Sequence, residues 1–307
     1  MSKVIRIGTR ESELALWQAN EVKRLLEERG CTTELVLIKS DGDIDLITPL
    51  YELGVQGVFT KTLDAALLSH KIDMAVHSLK DVPTQLAHGL SQAAVLPRGS
   101  YQDILVPRVN SDFMMDEEGT ALIATSSIRR KAQWWHKYPH HVVENLRGNV
   151  NTRMRKVHES NWDGAIFAAA GLERIGLRPD IAIDLSWMLP APAQGAVTIV
   201  CREDDAESLE ASGQLNDTDT AICTRIERDF LRTLLGGCST PISSLATIET
   251  DSLNFKGNIL TPDGKKSASI HKQIHIDQTI DAGIKMANEL LQNGGQMIVD
   301  IIRNAGK

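Results

Sequence analysis

The chain has 307 residues, 42% of them hydrophobic, which is enough for two or three domains with separate cores. Its net charge of −7 argues against non-specific nucleic-acid binding, and no stretch reaches the roughly 18 consecutive apolar residues of a membrane span. The four cysteines show neither CxxC spacing nor a nearby histidine series, so the sequence predicts no disulfide framework and no metal site. With no signal-like start to the chain, we expect a cytoplasmic protein.

The first two thirds of the chain alternate short apolar strands with helical patterns. "KVIRIGT" alternates apolar and polar residues as a strand does, and the next segment repeats Ala15, Ala19, Val22 and Leu26 at helical spacing before Gly30. This alternation predicts α/β domains, whose ligands bind beyond the carboxyl ends of the strands. Further strands are predicted at "ELVLI", "DMAVH", "DILVP", "ALIAT", "HVVEN" and "GAIFAAA", and helices at "FTKTLDAALLSH" and "NTRMRKVHES".

From about Asp219 the pattern changes. A long helical segment, "DTAICTRIERDFLRTLLGG", precedes strand-like segments at "ISSLATIET", "NFKGNIL" and "SASIHKQIHI", a "TPDG" turn and a last helix near "AGIKMANELLQNGG". This succession predicts a separate α+β domain of about ninety residues.

Positive charge is concentrated between Ala121 and His158, a segment that holds eight lysines and arginines against a single acid, Glu144. Within an acidic chain, a segment of this sign predicts an anionic ligand. A solvated basic helix is the alternative for any one of these side chains.

Two loops of the basic segment combine arginines with hydroxyl or glycine residues. "ATSSIRR" carries the hydroxyls of 125–127 into a helix that begins with Arg129 and Arg130, and "LRGNVNTR" places Arg147 and Arg153 around a Gly-Asn turn. Backbone N–H groups at a helix start and guanidinium groups together form an anion cradle, and arginine can bind both oxygens of a carboxylate. The serines could instead be helix caps.

The loop "HSLKDVPT" places Lys80 beside Asp81 on a turn forced by Pro83. A carboxylate in a cleft, flanked by positive charge, can transfer protons or stabilise a cation. A Lys-Asp pair on a loop is also common as a solvated turn.

The loop "GGCSTPI" places Cys238 behind two glycines and ahead of Pro241. Glycine ends helices and proline prevents them, so this thiol is expected on a bare loop facing the other domains. A structural cysteine usually lies within a strand or helix, which leaves a reactive role open for Cys238.

The ordered motifs resemble the porphobilinogen deaminase family, also called hydroxymethylbilane synthases, over nearly the whole chain. The motifs are "IGTRESELALWQA", "AVHSLKDVPT", "ATSSIRR", "LRGNVNTR", "AAAGLERIGL", "PAPAQGAV" and "GGCSTPI". The resemblance implies an α/β fold with two periplasmic-binding-protein-like domains, a cleft between them and a smaller C-terminal α+β domain. The implied bounds are 1–97 with 195–218 for domain 1, 98–194 for domain 2 and 219–307 for domain 3.

The resemblance also implies the chemistry. Cys238 would hold a dipyrromethane cofactor by a thioether bond, and Asp81 would be the catalytic aspartate. Four porphobilinogen molecules would each lose ammonia and join head to tail on this cofactor, and water would release hydroxymethylbilane for tetrapyrrole biosynthesis. The protein is expected to act as a monomer, without metal, nucleic acid or membrane.

The rings of cofactor and substrate carry acetate and propionate groups, which gives the basic loops a purpose. The positions that match cofactor ligands are Ser78, Lys80, Thr125, Ser127, Arg129, Arg130, Arg147 and Gly148. The positions that match substrate ligands are Arg10, Ser12, Arg147, Arg153, Arg174 and Gln194.

Several positions depart from the family pattern, mostly in the segment 40–62 that resembles a mobile active-site loop. We expect these changes to affect the grip of that loop on carboxylates or its gating motion, and not the chemistry of Asp81 and Cys238. The departures are Asp41, Glu52 and Gln56 where lysine or arginine is common, Thr62 for glutamate, Gln102 for arginine, and "PAPAQG" for "PAVGQG".

Two interpretations from other classes stay open. A two-lobed binding module could capture a small dicarboxylate, but it gives no reason for Cys238 on its loop. A cysteine-dependent hydrolase needs a partner histidine, and none of the nine histidines lies in a recognisable partner motif.

Overall fold

The structure is a computed structural model that describes residues 3–39, 60–116, 118–234 and 240–305. Within these residues the chain forms two five-stranded sheets and one three-stranded sheet. The strands are β1 Val4–Thr9, β2 Thr32–Leu37, β3 Met74–Ser78, β4 Leu90–Val95, β5 Asp103–Pro107, β6 Leu122–Ala124, β7 Val142–Glu144, β8 Gly164–Ala168, β9 Ile183–Asp184, β10 Val197–Arg202, β11 Ile242–Glu249, β12 Ser252–Leu260 and β13 Ser267–His275. The helices are α1 Glu13–Glu27, α2 Lys61–Leu68, α3 Ile128–Lys137, α4 Val150–Glu159, α5 Ala169–Glu173, α6 Ala206–Gly213, α7 Thr218–Leu234, α8 Ala282–Leu290 and α9 Gln296–Ala305.

The first sheet has the strand order β2-β1-β3-β10-β4, with β10 antiparallel to both of its neighbours. The apolar stripe of α1, with Ala19, Val22 and Leu26, packs on one face, and Leu63 and Leu67 of α2 pack on the other. Helices therefore cover both faces, as the near-continuous apolar strands require. We call this sheet with α1, α2 and α6 the first lobe.

The second sheet repeats the arrangement in the order β7-β6-β8-β5-β9, with β5 antiparallel to both neighbours. Val157 of α4 and Leu172 of α5 pack on one face, while Trp134 and Tyr138 of α3 pack on the other. We call this sheet with α3, α4 and α5 the second lobe. The two lobes are thus built to one plan, in which the fourth strand of each sheet is antiparallel to its neighbours and follows a connection between the lobes.

Two connections join the lobes, one from β4 to β5 and one from β9 to β10. They touch where the Gly99 N–H donates to the Gly195 carbonyl at 3.1 Å. Gly195 has φ +89°, and a Cβ there would lie 2.7 Å from the carbonyl oxygens of Gly99 and Ser100. Only glycine fits this crossing point.

The C-terminal unit is an antiparallel sheet, β11-β12-β13, packed against helices. Its core brings Ile226 and Phe230 of α7 against Phe255 of β12 and Met286 of α8. The two α/β lobes and this α+β unit confirm the predicted fold class.

Most predicted elements are confirmed, including the long helix α7 and the three C-terminal strands. The sequence patterns missed β4, β9, β10, α5, α6 and α9. The strand β10 was missed because it is buried along its whole length and shows no alternation.

Candidate active site

The predicted site residues follow the carboxyl ends of strands in both lobes. Arg10 follows β1, Ser78 ends β3, and Lys80 and Asp81 lie in the short 3₁₀ turn directly after it. In the second lobe, the basic loops follow β6 and β7 and lead into α3 and α4. This is the edge at which open α/β sheets bind ligands.

A chain of hydrogen bonds crosses from one lobe to the other through Gln194, on the second connection. The Lys80 Nζ donates to the Gln194 Oε1 at 3.3 Å, and the Gln194 Nε2 donates to the Asp103 Oδ1 at 2.9 Å and the Tyr101 carbonyl at 2.8 Å. Gln194 is 1% exposed. Its side chain therefore links the lobes, rather than projecting into open solvent.

Arg129 and Arg130, both buried, converge on Asp103. The Arg129 Nη1 donates to the Asp103 Oδ2 at 2.6 Å, and the Arg130 Nε and Nη2 donate to Oδ1 at 2.9 and 2.7 Å. These two positive charges hold the pKa of the Asp103 carboxyl well below its usual range, against the opposite effect of burial. Asp103 neutralises part of the predicted cradle, and sequence reasoning missed it because it lies at the start of an apolar strand.

The start of α4 carries the second basic loop. The Asn149 side chain accepts from the Thr152 N–H at 2.9 Å and caps the helix, and the Arg153 Nε donates to the Gly148 carbonyl at 2.7 Å. Gly148 has φ +114°, and a Cβ there would lie 2.8 Å from the Thr152 side chain. The tight turn that places Arg147 and Arg153 side by side therefore needs glycine.

Like charges crowd this part of the cleft. Burial, followed by the nearby charges of Arg130 and Arg147, lowers the pKa of Arg153 to about 10, while Asp81 acts in the opposite direction. Asp81 of the first lobe thus lies within electrostatic reach of the arginines of the second. A crowded cationic cluster of this kind is stabilised by an anionic ligand.

The hydroxyl residues of the site have local partners. The Ser127 Oγ accepts from the Arg130 N–H at 3.4 Å and the Thr125 Oγ1 from the Ser127 N–H at 3.2 Å, as helix-start residues do. The Ser78 Oγ accepts from the Gln18 side chain at 2.8 Å, and Ser12 occupies the N-cap position of α1. Ser127 is therefore the helix cap of α3, which the sequence analysis gave as the alternative role for the serines.

Asp81 is exposed on its turn, and the turn is fixed from outside by α7. The Arg228 guanidinium donates to the carbonyls of Leu79 at 3.2 Å, Val82 at 2.9 Å and Pro83 at 2.6 Å. Sequence patterns gave no signal for this role, since Arg228 is one of several charged residues on an amphipathic helix. The C-terminal unit thus holds the carboxylate loop of the first lobe in place.

Two other groups beside Asp81 have shifted pKa values. Loss of solvent around the Lys80 ammonium, only partly offset by Asp81, lowers its pKa to about 8. Burial, with a smaller effect of Arg10, lowers the pKa of His77 to about 4, so this imidazole is neutral at physiological pH.

Arg174, with a pKa lowered by burial, donates from Nη2 to the Gly195 carbonyl at 2.6 Å.

Cys238 lies outside the described residues, as do Asp41, Glu52 and Gln56. The elements that flank Cys238 are held against both lobes, α7 through Arg228 and β11 through the Ser244 N–H, which donates to the Pro190 carbonyl at 3.3 Å. Of the remaining departures, Thr62 lies in the first turn of α2 and Gln102 directly precedes β5.

Among the described residues, no group of histidine, cysteine and acidic side chains has the arrangement of a metal site. In the same part of the chain, no helix combines the length and apolar character needed to span a membrane.

Two family models match the chain. One, described as "Porphobilinogen deaminase, dipyromethane cofactor binding domain", matches residues 5–210, and the other, "Porphobilinogen deaminase, C-terminal domain", matches residues 221–292.

Similar curated proteins carry the same name. The porphobilinogen deaminase of Pelotomaculum thermopropionicum is 41% identical over 97% of both chains, and that of Acidithiobacillus ferrooxidans is 38% identical over 99% of this chain and 100% of its own. Among solved structures, the methionine-binding protein MetQ is 14% identical, with a TM-score of 0.44 over 70% of this chain and 91% of its own.

Proposed function

Because the chain belongs to the porphobilinogen deaminase family, we propose that it is a hydroxymethylbilane synthase that joins four porphobilinogen molecules head to tail on a dipyrromethane primer. The observation that carries the proposal is the placement of Asp81. An exposed carboxylate, on a turn held by hydrogen bonds from Arg228, lies within electrostatic reach of Arg153 in the second lobe.

Asp81 is the catalytic residue of the proposal. Its carboxylate can accept a hydrogen bond from a pyrrole N–H and stabilise the positive charge that develops on the ring as the aminomethyl nitrogen leaves as ammonia. The hydrogen bonds from Arg228 fix the backbone of the turn, so the Asp81 carboxylate needs little reorganisation during the reaction. The same carboxylate can therefore act in each of the four additions.

The cationic residues bind the acetate and propionate groups of the rings. Arg147 and Arg153 flank the turn at the start of α4, and burial, followed by the charges of Arg130 and Arg147, lowers the pKa of Arg153 to about 10. Lys80, Arg129, Arg130, Thr125, Ser127, Ser78 and Gly148 belong to the cofactor subsite, and Arg10, Ser12, Arg174 and Gln194 to the substrate subsite. For Gln194, whose amide is turned to Asp103 and Lys80, the contribution to the substrate subsite is positioning of these two side chains.

Cys238 is the attachment point of the cofactor. The crowded cations fit a group that carries carboxylates, and α7, which ends at Leu234 four residues before Cys238 in the sequence, is hydrogen-bonded to the Asp81 turn. When bound, the dipyrromethane supplies the pyrrole carbon to which the first porphobilinogen is joined. The protein's own residues bind the carboxylates, exclude water and hold the carboxylate of Asp81 beside the reacting ring.

We also propose the domain bounds 1–97 with 195–218, 98–194 and 219–307, since the chain leaves the first sheet after β4 and returns to it with β10. The protein is proposed to work as a monomer, because each chain contains both lobes and Cys238. It is also proposed to be cytoplasmic.

Turnover of porphobilinogen tests the function. The purified protein should release four molecules of ammonia for each hydroxymethylbilane formed. A protein that binds porphobilinogen reversibly, without releasing ammonia, would instead be the two-lobed dicarboxylate-binding module.

A further inference from the structure

The first helix, α1, belongs to the first lobe and contacts the second lobe through two of its side chains. Glu13 and Trp17 are four residues apart, so their side chains project from the same side of the helix. The Glu13 Oε2 accepts a hydrogen bond from the Asn151 Nδ2, in the first turn of α4, at 2.6 Å. The Trp17 ring centroid lies 5.5 Å from the guanidinium carbon of Arg174, which follows α5.

The first helix also lies close to α5 at Leu14, the residue next to Glu13. A Cβ added to Gly171 of α5 would be 3.7 Å from the Leu14 Cδ2, an ordinary van der Waals distance. The two helices therefore approach each other near the Glu13 and Trp17 contacts.

Among the residues at these contacts, Arg174 carries a partly desolvated charge that its partner Trp17 can stabilise. Burial lowers the pKa of its guanidinium, which means that water has been removed from part of the charge. One nitrogen donates to the Gly195 carbonyl on the second connection. The face of an indole attracts a cation electrostatically, so Trp17 replaces part of the lost solvation and fixes the direction of the side chain.

We infer that Glu13 and Trp17 form a clasp between the lobes, in which Trp17 is a positioning residue for Arg174 and Glu13 holds α4 against the first lobe. The inference rests on the proposed function, in which Arg174 binds a carboxylate of the incoming ring. Exposed contacts of this type are individually weak, so the clasp can release and re-form as each ring enters. The clasp therefore sets how readily the cleft opens.

The Glu13–Asn151 contact is tested without substrate, by X-ray scattering of the cofactor-bearing protein. Asn151→Asp places two carboxylates face to face and should increase the radius of gyration, with an open population raised about fivefold. Combining Asn151→Asp with Glu13→Gln restores a donor opposite a carboxylate and should return the value to that of the wild type. Glu28→Gln, at the exposed far end of α1, is the matched control. An unchanged radius in Asn151→Asp would overturn the clasp.

The Trp17–Arg174 contact is tested by the kinetics of Trp17→Phe and Trp17→Leu. Leucine retains apolar volume but has no ring face, so Trp17→Leu should raise the KM for porphobilinogen about two- to fivefold, with kcat changed less. Trp17→Phe should recover most of this loss. Equal KM values in the two variants would overturn the positioning role. A wild-type protein that does not turn over porphobilinogen would refute the proposed function, while the scattering result would still decide the clasp.

Discussion

The half-buried Arg98 and the buried Glu227 form a doubly hydrogen-bonded ion pair that ties the first connection between the lobes to α7 of the C-terminal unit. The Arg98 Nη1 and Nη2 donate to the two carboxylate oxygens at 2.6 and 3.0 Å. Glu227 also accepts from the N–H groups of Ala193 at 2.6 Å and Ala246 at 2.7 Å. One carboxylate thus receives bonds from both connections and from β11.

Glu227→Leu should destabilise the protein strongly. Removal of the carboxylate leaves the Arg98 charge and two backbone N–H groups buried without their acceptor, a loss of about 3–5 kcal/mol. Urea denaturation would give the free energy of unfolding. Glu249→Leu, at the exposed end of β11, is the control and should change stability by less than about 0.5 kcal/mol. A loss below about 1 kcal/mol in Glu227→Leu would show that the pair does not hold the units together.

Asp81→Asn should slow hydroxymethylbilane formation by ~10²-fold or more, because one preorganised negative charge is lost beside the developing cation. Thermal stability should barely change, since Asp81 is exposed and its turn is held through backbone carbonyls. Asp180→Asn, also exposed but in the turn before β9, is the control. Near-normal turnover of a folded, cofactor-bearing Asp81→Asn protein would remove Asp81 from the mechanism.

The intact mass should exceed the sequence mass by two linked pyrroles, and Cys238→Ala should abolish the increment. The other thiols are poor candidates, since burial raises the pKa of Cys201 and of Cys223 to about 12 and leaves no reactive thiolate at neutral pH. Cys31→Ser is the control and should retain the full increment. Mass spectrometry of protein from a haem-synthesising host decides the matter, and an unmodified wild type would count against the assignment.

Ligand binding should weaken as the pH rises through about 8. The pKa of Lys80 is lowered to about 8, so its positive charge is present below that pH and lost above it. Lys80→Arg should keep the charge and remove the weakening, whereas Lys80→Gln should bind weakly at every pH. The KM for porphobilinogen between pH 6.5 and about 9.5 is the measurement.

The lowered pKa of Lys80 affects the stability of the fold in the opposite direction to ligand binding. Between about pH 8 and the unfolded value near 10.5, the unfolded chain binds a proton that folded Lys80 does not, so Lys80 makes stability rise with pH in this window. Lys80→Gln should remove that rise. For the binding prediction, the contradicting result is a KM for porphobilinogen that changes with pH in the same way in the wild type and in Lys80→Arg. The weakening of binding near pH 8 would then not be caused by Lys80.

Arg147→Ala and Arg129→Ala should each impair binding of the pyrrole chain more than Lys137→Ala does. The first two residues are buried at the starts of helices that face the cleft, whereas Lys137 is exposed at the end of α3 over the Trp187 ring. Cofactor occupancy by mass, with KM, provides the comparison. Equal losses in all three variants would mean that the basic segment acts only as a diffuse field.

The sequence predicted the site residues that follow strands, since loops after the strands of α/β sheets are recognisable from alternating patterns. It did not predict Asp103, Glu227 and Arg228. Each of these is a charged residue whose partner is far along the chain, and a local pattern cannot distinguish such a residue from a solvated one. Nothing local marks Arg228 as the clamp of the Asp81 turn.

Local conformation explains one of the departures. Ala193 has φ 62°, in the left-handed region that favours glycine, and it stands in "PAPAQG" where "PAVGQG" has glycine. An L-residue there costs about 1–2 kcal/mol, which the buried bond to Glu227 helps to offset. The substitution was visible in the sequence, but its cost depends on a backbone angle that only the fold supplies.

The late return of β10 to the first sheet constrains the order in which the chain can fold during synthesis. Among the described residues, β4 pairs only with β10, so Leu90–Val95 has no partner until the ribosome has made Val197–Arg202. The second sheet, by contrast, draws all its strands from one continuous stretch, from β5 to β9. We therefore expect the second lobe to be complete first, while β4 waits as an open edge that nascent-chain chaperones would have to shield.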